Sequence, residues 1–156
     1  MKIANSFSMK TSVPIYEDTP KYDLWLKLIL GGVLALTFIL GVVFLYQDIE
    51  AAIAMFSITL FDALLFKAIL PRRYQVFEDR LKIVMGGPFA ISISFSNIEE
   101  AKPTSGGKAL AYGGLRLATS THNVVEIVRK KGLNLVISPS NEMFLEELNQ
   151  AQKMIV

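Results

Sequence analysis

The pattern of hydrophobic and polar positions divides the chain into two unlike parts. Two apolar runs, Leu24–Tyr46 and Ile49–Leu70, each have about the 20 residues that a helix needs to cross a hydrocarbon core of roughly 30 Å. The short link "QDIE" (Gln47–Glu50) joins them, and beyond Pro71 the long runs give way to short alternating segments. We therefore predict an N-terminal cytoplasmic segment over residues 1–23, a transmembrane helical hairpin over 24–70 and a sheet domain over 71–156.

Two alternatives to a membrane hairpin are disfavoured. The first run is longer than the apolar core of a signal peptide, and no small-residue cleavage site follows it. A buried soluble hairpin would need more surrounding chain than the remaining residues supply. Hydrophobic residues make up 52% of the 156 residues, which exceeds the usual share in a small soluble domain. Lipid is therefore expected to solvate part of the chain.

The positions of lysine and arginine predict the orientation of the hairpin. The link Gln47–Glu50 has no cation, and cationic flanking segments resist translocation. Both termini should therefore be cytoplasmic, in a multi-pass protein of the cell membrane. The cations lie in the N-terminal segment, namely Lys2, Lys10 and Lys21, and at the exit of the second run, namely Lys67, Arg72 and Arg73.

The residues after Pro71 predict a curled antiparallel sheet. In Ile91–Ser96 apolar and polar residues alternate strictly, which is the period of a half-buried strand. Glu78 and Asp79 form a tight turn between two such strands. About seven strands are expected: Arg73–Phe77, Arg80–Met85, Ala90–Phe95, Ile98–Lys102, Leu115–Ala118, Val124–Arg129 and Leu133–Ser138.

One amphipathic helix is predicted to close the sheet. Ser140 is the expected N-cap, and Phe144, Leu145 and Leu148 recur at helical spacing. These side chains should cover an open end of the sheet. We expect the residues from Arg73 onward to fold without the hairpin and to depend on this helix.

Three stretches resemble a known family: "YQVFEDRLKIVMGG", "ISISFSNIEEAKP" and "VVEIVRKKGLNLVISPSNEMFLEEL". They resemble membrane-anchored bacterial and archaeal PH-like (pleckstrin-homology-type) proteins, in which a two-helix anchor precedes the domain. The resemblance covers roughly Leu24–Lys153. It implies an α+β membrane protein whose PH-like domain serves interaction or assembly, with membrane lipid and a protein partner or further copies of itself. It supplies no active-site residue, and neither a nucleic acid nor a small-molecule substrate is expected.

Six cations are candidates for contact with the membrane interface: Arg72, Arg73, Arg80, Lys82, Lys130 and Lys131. The first two follow the second span directly, and the last two lie on a turn, where a cation near anionic lipid contributes about 1 kcal/mol. The pair on the strand after Asp79 is more typical of a solvated face. Carboxylates in the first hairpin loop would repel phosphate, unlike the cations of phosphoinositide-binding PH domains, so specific inositide recognition is disfavoured.

Asp62 is the polar residue in the most costly position. It lies about nine residues before Pro71 and thus roughly 13 Å into the second helix. An unpaired carboxylate there costs about 2.5–3.5 kcal/mol, and Lys27 and Lys67 are candidate partners. A packing or oligomerisation contact is the favoured interpretation. An ion or proton site remains the alternative, in which the chain is a subunit of a transport or channel assembly.

No constellation for catalysis or cofactor binding stands out. "SGGKAL" lacks the Ser or Thr that a phosphate-binding loop needs after its lysine, since Ala109 follows Lys108. Ser120, His122 and Glu126 make a triad on paper, but no oxyanion hole accompanies them. The chain has no cysteine, which excludes disulfides and thiolate metal sites. We therefore expect a protein that is not an enzyme and uses no cofactor or metal.

Overall fold

The structure is a computed structural model that describes residues 13–107 and 113–154. The predictions that involve Lys2, Lys10, Lys108 and Ala109 lie outside these residues. The long helices are α1 (Leu24–Phe44), α2 (Ile49–Ile69) and α3 (Met143–Lys153), and a 3-10 turn is formed by Phe95–Asn97. The strands are β1 (Tyr16–Asp18), β2 (Pro71–Val76), β3 (Arg80–Met85), β4 (Ala90–Ser94), β5 (Ile98–Thr104), β6 (Leu115–Arg116), β7 (Val124–Arg129) and β8 (Leu135–Ile137).

Helices α1 and α2 form the predicted hairpin. Both are long and apolar enough to cross a membrane. The side chain of Asp48 begins α2 by accepting hydrogen bonds from the backbone N–H groups of Glu50 and Ala51. The helix ends where Leu70 turns extended ahead of Pro71, which cannot continue the hydrogen-bond ladder. Leucine, isoleucine and phenylalanine side chains stand exposed along both helices, as lipid-facing residues do.

Two four-stranded sheets form the rest of the fold, in the orders β1-β2-β3-β4 and β5-β7-β8-β6. The predicted turn at Glu78 and Asp79 is confirmed, since β2 and β3 pair antiparallel on either side of it. The prediction of about seven strands missed β1, which comes from the N-terminal segment. The prediction of a wholly antiparallel sheet is wrong at β6, which lies parallel to β8 at a sheet edge.

Strand β1 changes the organisation of the chain. It pairs with β2 so that Tyr16 lies opposite Val76 and Asp18 opposite Tyr74. Because α1 and α2 lie between these two strands in the sequence, the hairpin is an insertion into the sheet domain. The division predicted at residue 71 stays a prediction as a boundary of independent folding, but β1 extends the sheet across it.

Helix α3 packs against the core of the domain, and the predicted burial of Phe144 and Leu148 is confirmed. Phe144 and Leu148 are fully buried, and the ring of Phe144 lies 5.8 Å from that of Tyr74. The prediction of Ser140 as N-cap is wrong. The helix begins at Met143, whose N–H donates to the side chain of Asn141, whereas the N–H of Ser140 donates to the carbonyl of Thr19. The side-chain oxygen that accepts from the start of the helix is therefore that of Asn141, one residue after the predicted position.

The strand registers define two ends of the domain. At the end that we call the junction end, Pro71 lies opposite Met85 and Thr104 opposite Val124. At the distal end, Val76 lies opposite Leu81 and Ile98 opposite Arg129. Both helices join the domain at the junction end, because α1 follows β1 there and α2 runs into Pro71.

Candidate functional site: the junction of helices and sheets

The segment that leads from β1 into α1 is bonded to the domain along its backbone. The N–H of Lys21 donates to the carbonyl of Ser138 at 2.9 Å, and the N–H of Asp23 donates to the carbonyl of Thr119 at 3.1 Å. Pro20 forms a bridge with Pro139. The first helix therefore starts directly from an ordered part of the sheet domain.

The carboxylate of Asp23 is the centre of the junction. It accepts hydrogen bonds from the hydroxyl of Ser120 at 2.5 Å, from the N–H and hydroxyl of Thr121 at 2.7 and 2.9 Å, and from the indole N–H of Trp25 at 3.2 Å. Its side chain is only 11% exposed. The bond from Ser120 and those from Thr121 hold the pKa of Asp23 well below its ordinary value, because they stabilise the charged form.

A small buried polar cluster stands behind this carboxylate. Thr119, Ser120 and Ser138 are all buried. The hydroxyl of Ser138 accepts from the N–H groups of Thr119 and Ser120 at 2.8 and 3.2 Å, and the hydroxyl of Thr119 donates to the carbonyl of Lys21 at 2.6 Å. These bonds satisfy polar groups that would be costly to bury alone, and they tie the loop before β7 to the start of α1.

The second helix is held at the same end of the domain. The N–H of Gly86 donates to the carbonyl of Leu70 at 2.9 Å. A Cβ atom on Gly86 would overlap the carbonyl oxygen of Lys67, and one on Gly87 would lie 3.2 Å from the Cβ of Ala68. Only glycine allows the β3–β4 turn to approach the helix backbone so closely. The hydroxyl of Tyr22 donates to the carbonyl of Pro71. This bond joins the two crossings, which are the chain segments that connect β1 to α1 and α2 to β2.

The triad considered from the sequence does not form. Ser120 donates to Asp23 rather than to an imidazole, and the N–H of His122 donates to the Ser120 hydroxyl at 3.0 Å. The His122 ring lies 3.6 Å from the Asp23 carboxylate and is 70% exposed. The hydroxyl of Ser120 therefore has a carboxylate of lowered pKa as its acceptor, which is a weaker base than the imidazole that usually activates a serine nucleophile. The arrangement is suited to holding the helix and the loop together.

Asp23 was missed by reasoning from the sequence. It is separated from Ser120 by 97 positions, and no local pattern predicts a pair so distant. Two signals were available: a carboxylate directly before an apolar helix, and the polar run Thr119–Asn123 between two strands. Each suggests turn or cap chemistry by itself, and only the fold brings them together.

The six candidate interface cations are divided between the two ends of the domain. The register shifts between Pro71 and Arg73, which leaves Arg72 and Arg73 both exposed at the junction end. Arg73 pairs with Glu17 at 3.3 Å, and a Cβ on Gly86 would lie 3.2 Å from Nε of Arg72.

The other four cations lie farther from the helices. Arg80 lies 5.3 Å over the Phe77 ring at the distal end, and Lys82 is in the middle of β3. The turn with Lys130 and Lys131 is also distal, where both backbone N–H groups donate to Asn97. The structure therefore does not bring the six cations into one surface.

The intramembrane candidates are not brought together as an ion pair. Asp62 is half-buried on the side of α2 that also carries the buried Ala52 and the half-buried Thr59, so it belongs to the helix-packing side. Lys27 and Lys67 are exposed. Within residues 13–107 and 113–154, no salt bridge joins either lysine to Asp62.

The sequence of residues 72–152 matches a family model described as the bacterial PH domain. The match covers more than half of the chain, so the chain belongs to the bacterial PH domain family. With two apolar helices ahead of the matched region, it is a membrane-anchored PH-like protein. Strand β1 lies outside the matched residues. No curated protein and no solved structure matches the chain.

Proposed function

We propose that the chain is a non-enzymatic interaction module, which holds a PH-like domain at a fixed orientation on the cytoplasmic face of the membrane. The observation that carries this proposal is the junction: both crossings between hairpin and domain are hydrogen-bonded to the sheets. A domain that merely needed a tether would require only one flexible linker. An insertion held at both crossings restricts rotation of the domain relative to the membrane.

The chemistry of the junction supports an interaction role over catalysis. The carboxylate of Asp23, whose pKa is lowered, already accepts hydrogen bonds from Ser120, Thr121 and Trp25. PH domains are generally interaction modules that bind lipids or proteins. The partner in this proposal is a protein or a second copy of the chain, presented with one face of the domain.

The proposed topology has both termini in the cytoplasm. It is supported by the cation-free link at residues 47–50 and by the exposed cations Lys67, Arg72 and Arg73 at the other end of the hairpin. Reporter fusions after Gln47 and after residue 156 test it. The first should be active only outside the membrane and the second only inside. A reporter after residue 156 that is active only outside would overturn the orientation.

Photo-crosslinking in native membranes tests the interaction role. A crosslinking residue is placed in turn at exposed positions such as Ser94, Leu133 and Glu146, with two differently tagged copies of the chain to separate self-association from a partner. One face should give a discrete adduct. Asp23→Asn should weaken that adduct while the chain stays in the membrane fraction, because it loosens the junction. The control is Asp79→Asn, which alters an exposed carboxylate at the distal end.

An absence of adducts from every face would contradict the proposal. Adducts that do not respond to Asp23→Asn would show that the fixed orientation is irrelevant to the interaction.

A transport or channel subunit is the second candidate, because Asp62 is half-buried within the hairpin and has no ion pair among the described residues. Asp62→Asn separates the two functions. Loss of ion flux with assembly intact supports transport, and loss of assembly alone supports a packing contact. Unchanged flux and unchanged assembly would show that Asp62 serves neither transport nor the packing contact.

A further inference from the structure

The turn Gly86–Phe89, between β3 and β4, lies level with the last turn of α2. Gly86 is bonded to Leu70, and its Cα lies against the carbonyl of Lys67, while Gly87 packs on Ala68. The turn is closed on itself by a hydrogen bond from the N–H of Met85 to the carbonyl of Phe89 at 3.1 Å. The position of the turn relative to the bilayer is therefore set by the end of α2, which is apolar enough to span the bilayer.

Phe89 is a large apolar side chain that remains outside the core. It is 65% exposed, whereas Phe95 and Phe144 are buried within the same domain. Aromatic rings are favoured at the boundary between headgroups and acyl chains, where an apolar ring leaves water. The turn that carries Phe89 has Gly86 and Gly87 beside Lys67–Leu70, which places it near that boundary.

The charges around the turn suit an anionic lipid surface. Arg72 lies beside Gly86, Lys67 is exposed on the neighbouring helix turn, and the four residues of the turn include no acid. An exposed ring flanked by cations is the composition by which proteins bind the membrane interface. The turn with Lys130 and Lys131 has cations as well, but it lies at the distal end of the domain, whereas both helices join the domain at the junction end.

We propose that the Gly86–Phe89 turn is a second membrane contact, in which Phe89 inserts into the bilayer interface beside α2 and Arg72 faces the lipid phosphates. This inference rests on the proposed membrane anchoring of the hairpin. The hairpin is the first membrane contact. The turn would hold the domain at the membrane in addition to the two chain crossings. The β3–β4 edge of the first sheet is thereby held against the lipid surface.

Tryptophan fluorescence in the full-length chain tests the contact. Trp25 is the only tryptophan, so Trp25→Phe gives a dark background into which one reporter is introduced at a time. The reporters are Phe89→Trp at the turn, Leu133→Trp at the distal end with the same 65% exposure, and Leu36→Trp within α1. Each chain is reconstituted into phosphatidylcholine–phosphatidylglycerol vesicles with and without brominated acyl chains, and far-UV circular dichroism checks its fold.

The Phe89→Trp reporter should lose most of its emission to brominated lipid and should be protected from iodide in the water phase. The Leu133→Trp reporter should behave in the opposite way. A Phe89→Trp reporter that iodide quenches and brominated lipid does not would overturn the inference, provided that Leu36→Trp is quenched by the lipid. Absence of quenching at Leu36→Trp would instead contradict membrane insertion of the hairpin. Equal lipid quenching at Phe89 and Leu133 would overturn the specific role of the turn.

Discussion

The helical hairpin and the sheet domain use the same apolar residue types in opposite ways. In the hairpin, only Gly41 and Ala52 are buried within the helices, and most of the large apolar side chains are exposed. In the domain, residues such as Leu81, Ile127 and Leu135 are fully buried in one core. An apolar run therefore does not by itself predict burial in protein. The solvent that the run meets decides whether its side chains pack inward or face lipid.

The two regions are also held together by different contacts. Thr59 and Thr37 are joined by a hydrogen bond of 2.9 Å between their hydroxyls, and Gly41 lets the ring of Phe56 approach α1 closely. Such small and polar contacts join helices in lipid, where burying another leucine gains little. The domain relies on removing apolar surface from water. Substitutions of similar size should therefore have unequal effects in the two regions.

The largest effect is expected from removing β1. One chain replaces residues 24–70 by a short Gly-Ser linker and keeps 13–23; the other begins at Pro71. The first should fold, because Tyr22 already contacts Pro71 across the gap. The second should be largely unfolded, contrary to the expectation from the sequence that the residues from Arg73 onward fold alone. It lacks the strand paired to β2 and the ring of Tyr16, which lies 6.2 Å from that of Phe144. Circular dichroism and urea unfolding decide this, and equal midpoints would show that β1 is dispensable.

Phe144→Ala should be the most damaging single substitution in the domain. Its side chain is fully buried and contacts both Tyr16 and Tyr74, and truncating a buried phenylalanine typically costs about 3–5 kcal/mol. Glu146→Ala, an exposed position on the same helix, is the matched control and should be nearly neutral. Chemical denaturation of the linker-joined domain measures both. A Phe144→Ala midpoint equal to the parent would mean that α3 does not hold the sheets together.

Asp23→Asn tests the boundary between the two regions. A hydrogen bond to a charged group is worth about 1.5–3 kcal/mol, so the linker-joined domain should lose stability of this order. Because folding lowers the pKa of Asp23, its contribution is fully present above the ordinary pKa of 3.8 and is lost as the pH falls below that value. The stability difference between parent and variant should therefore be constant from neutral pH down to mildly acidic pH.

Below pH 4 that difference should shrink. Urea unfolding as a function of pH measures it, with Asp79→Asn as the exposed control. A difference that persists undiminished in strong acid would show that the charge of Asp23 is not what stabilises the junction.

The smallest effect is expected within the hairpin. Thr59→Val removes the hydroxyl that donates to Thr37, and hydrogen bonds between membrane helices average about 0.6 kcal/mol. Thr59→Ser keeps a hydroxyl and is the control. Unfolding of the reconstituted full-length chain, followed by circular dichroism, should barely distinguish the two variants. A loss comparable to that of Phe144→Ala would show that the helix contact is stronger than the comparison implies.

Local patterns in the sequence were sufficient for the two helices, for the turn at Glu78 and Asp79, and for the buried face of α3. Each depends on residues that are close in the chain, so that spacing alone reveals which side chains share a face. The apolar runs predicted α1 and α2 to within a few residues. The resemblance of "VVEIVRKKGLNLVISPSNEMFLEEL" to PH-like proteins agrees with the family match.

The tertiary structure alone decided where the N-terminal segment goes and what meets at the junction. A strand as short as β1, with three residues, has no usable period, and its partner lies beyond the whole hairpin. The bond between Asp23 and Ser120 likewise joins positions 97 apart. The separation of Arg72 from Lys130 follows from strand register, which depends on pairing between distant segments. Such contacts depend on how distant segments of the chain pack together, and the residues of a local window carry no information about that packing.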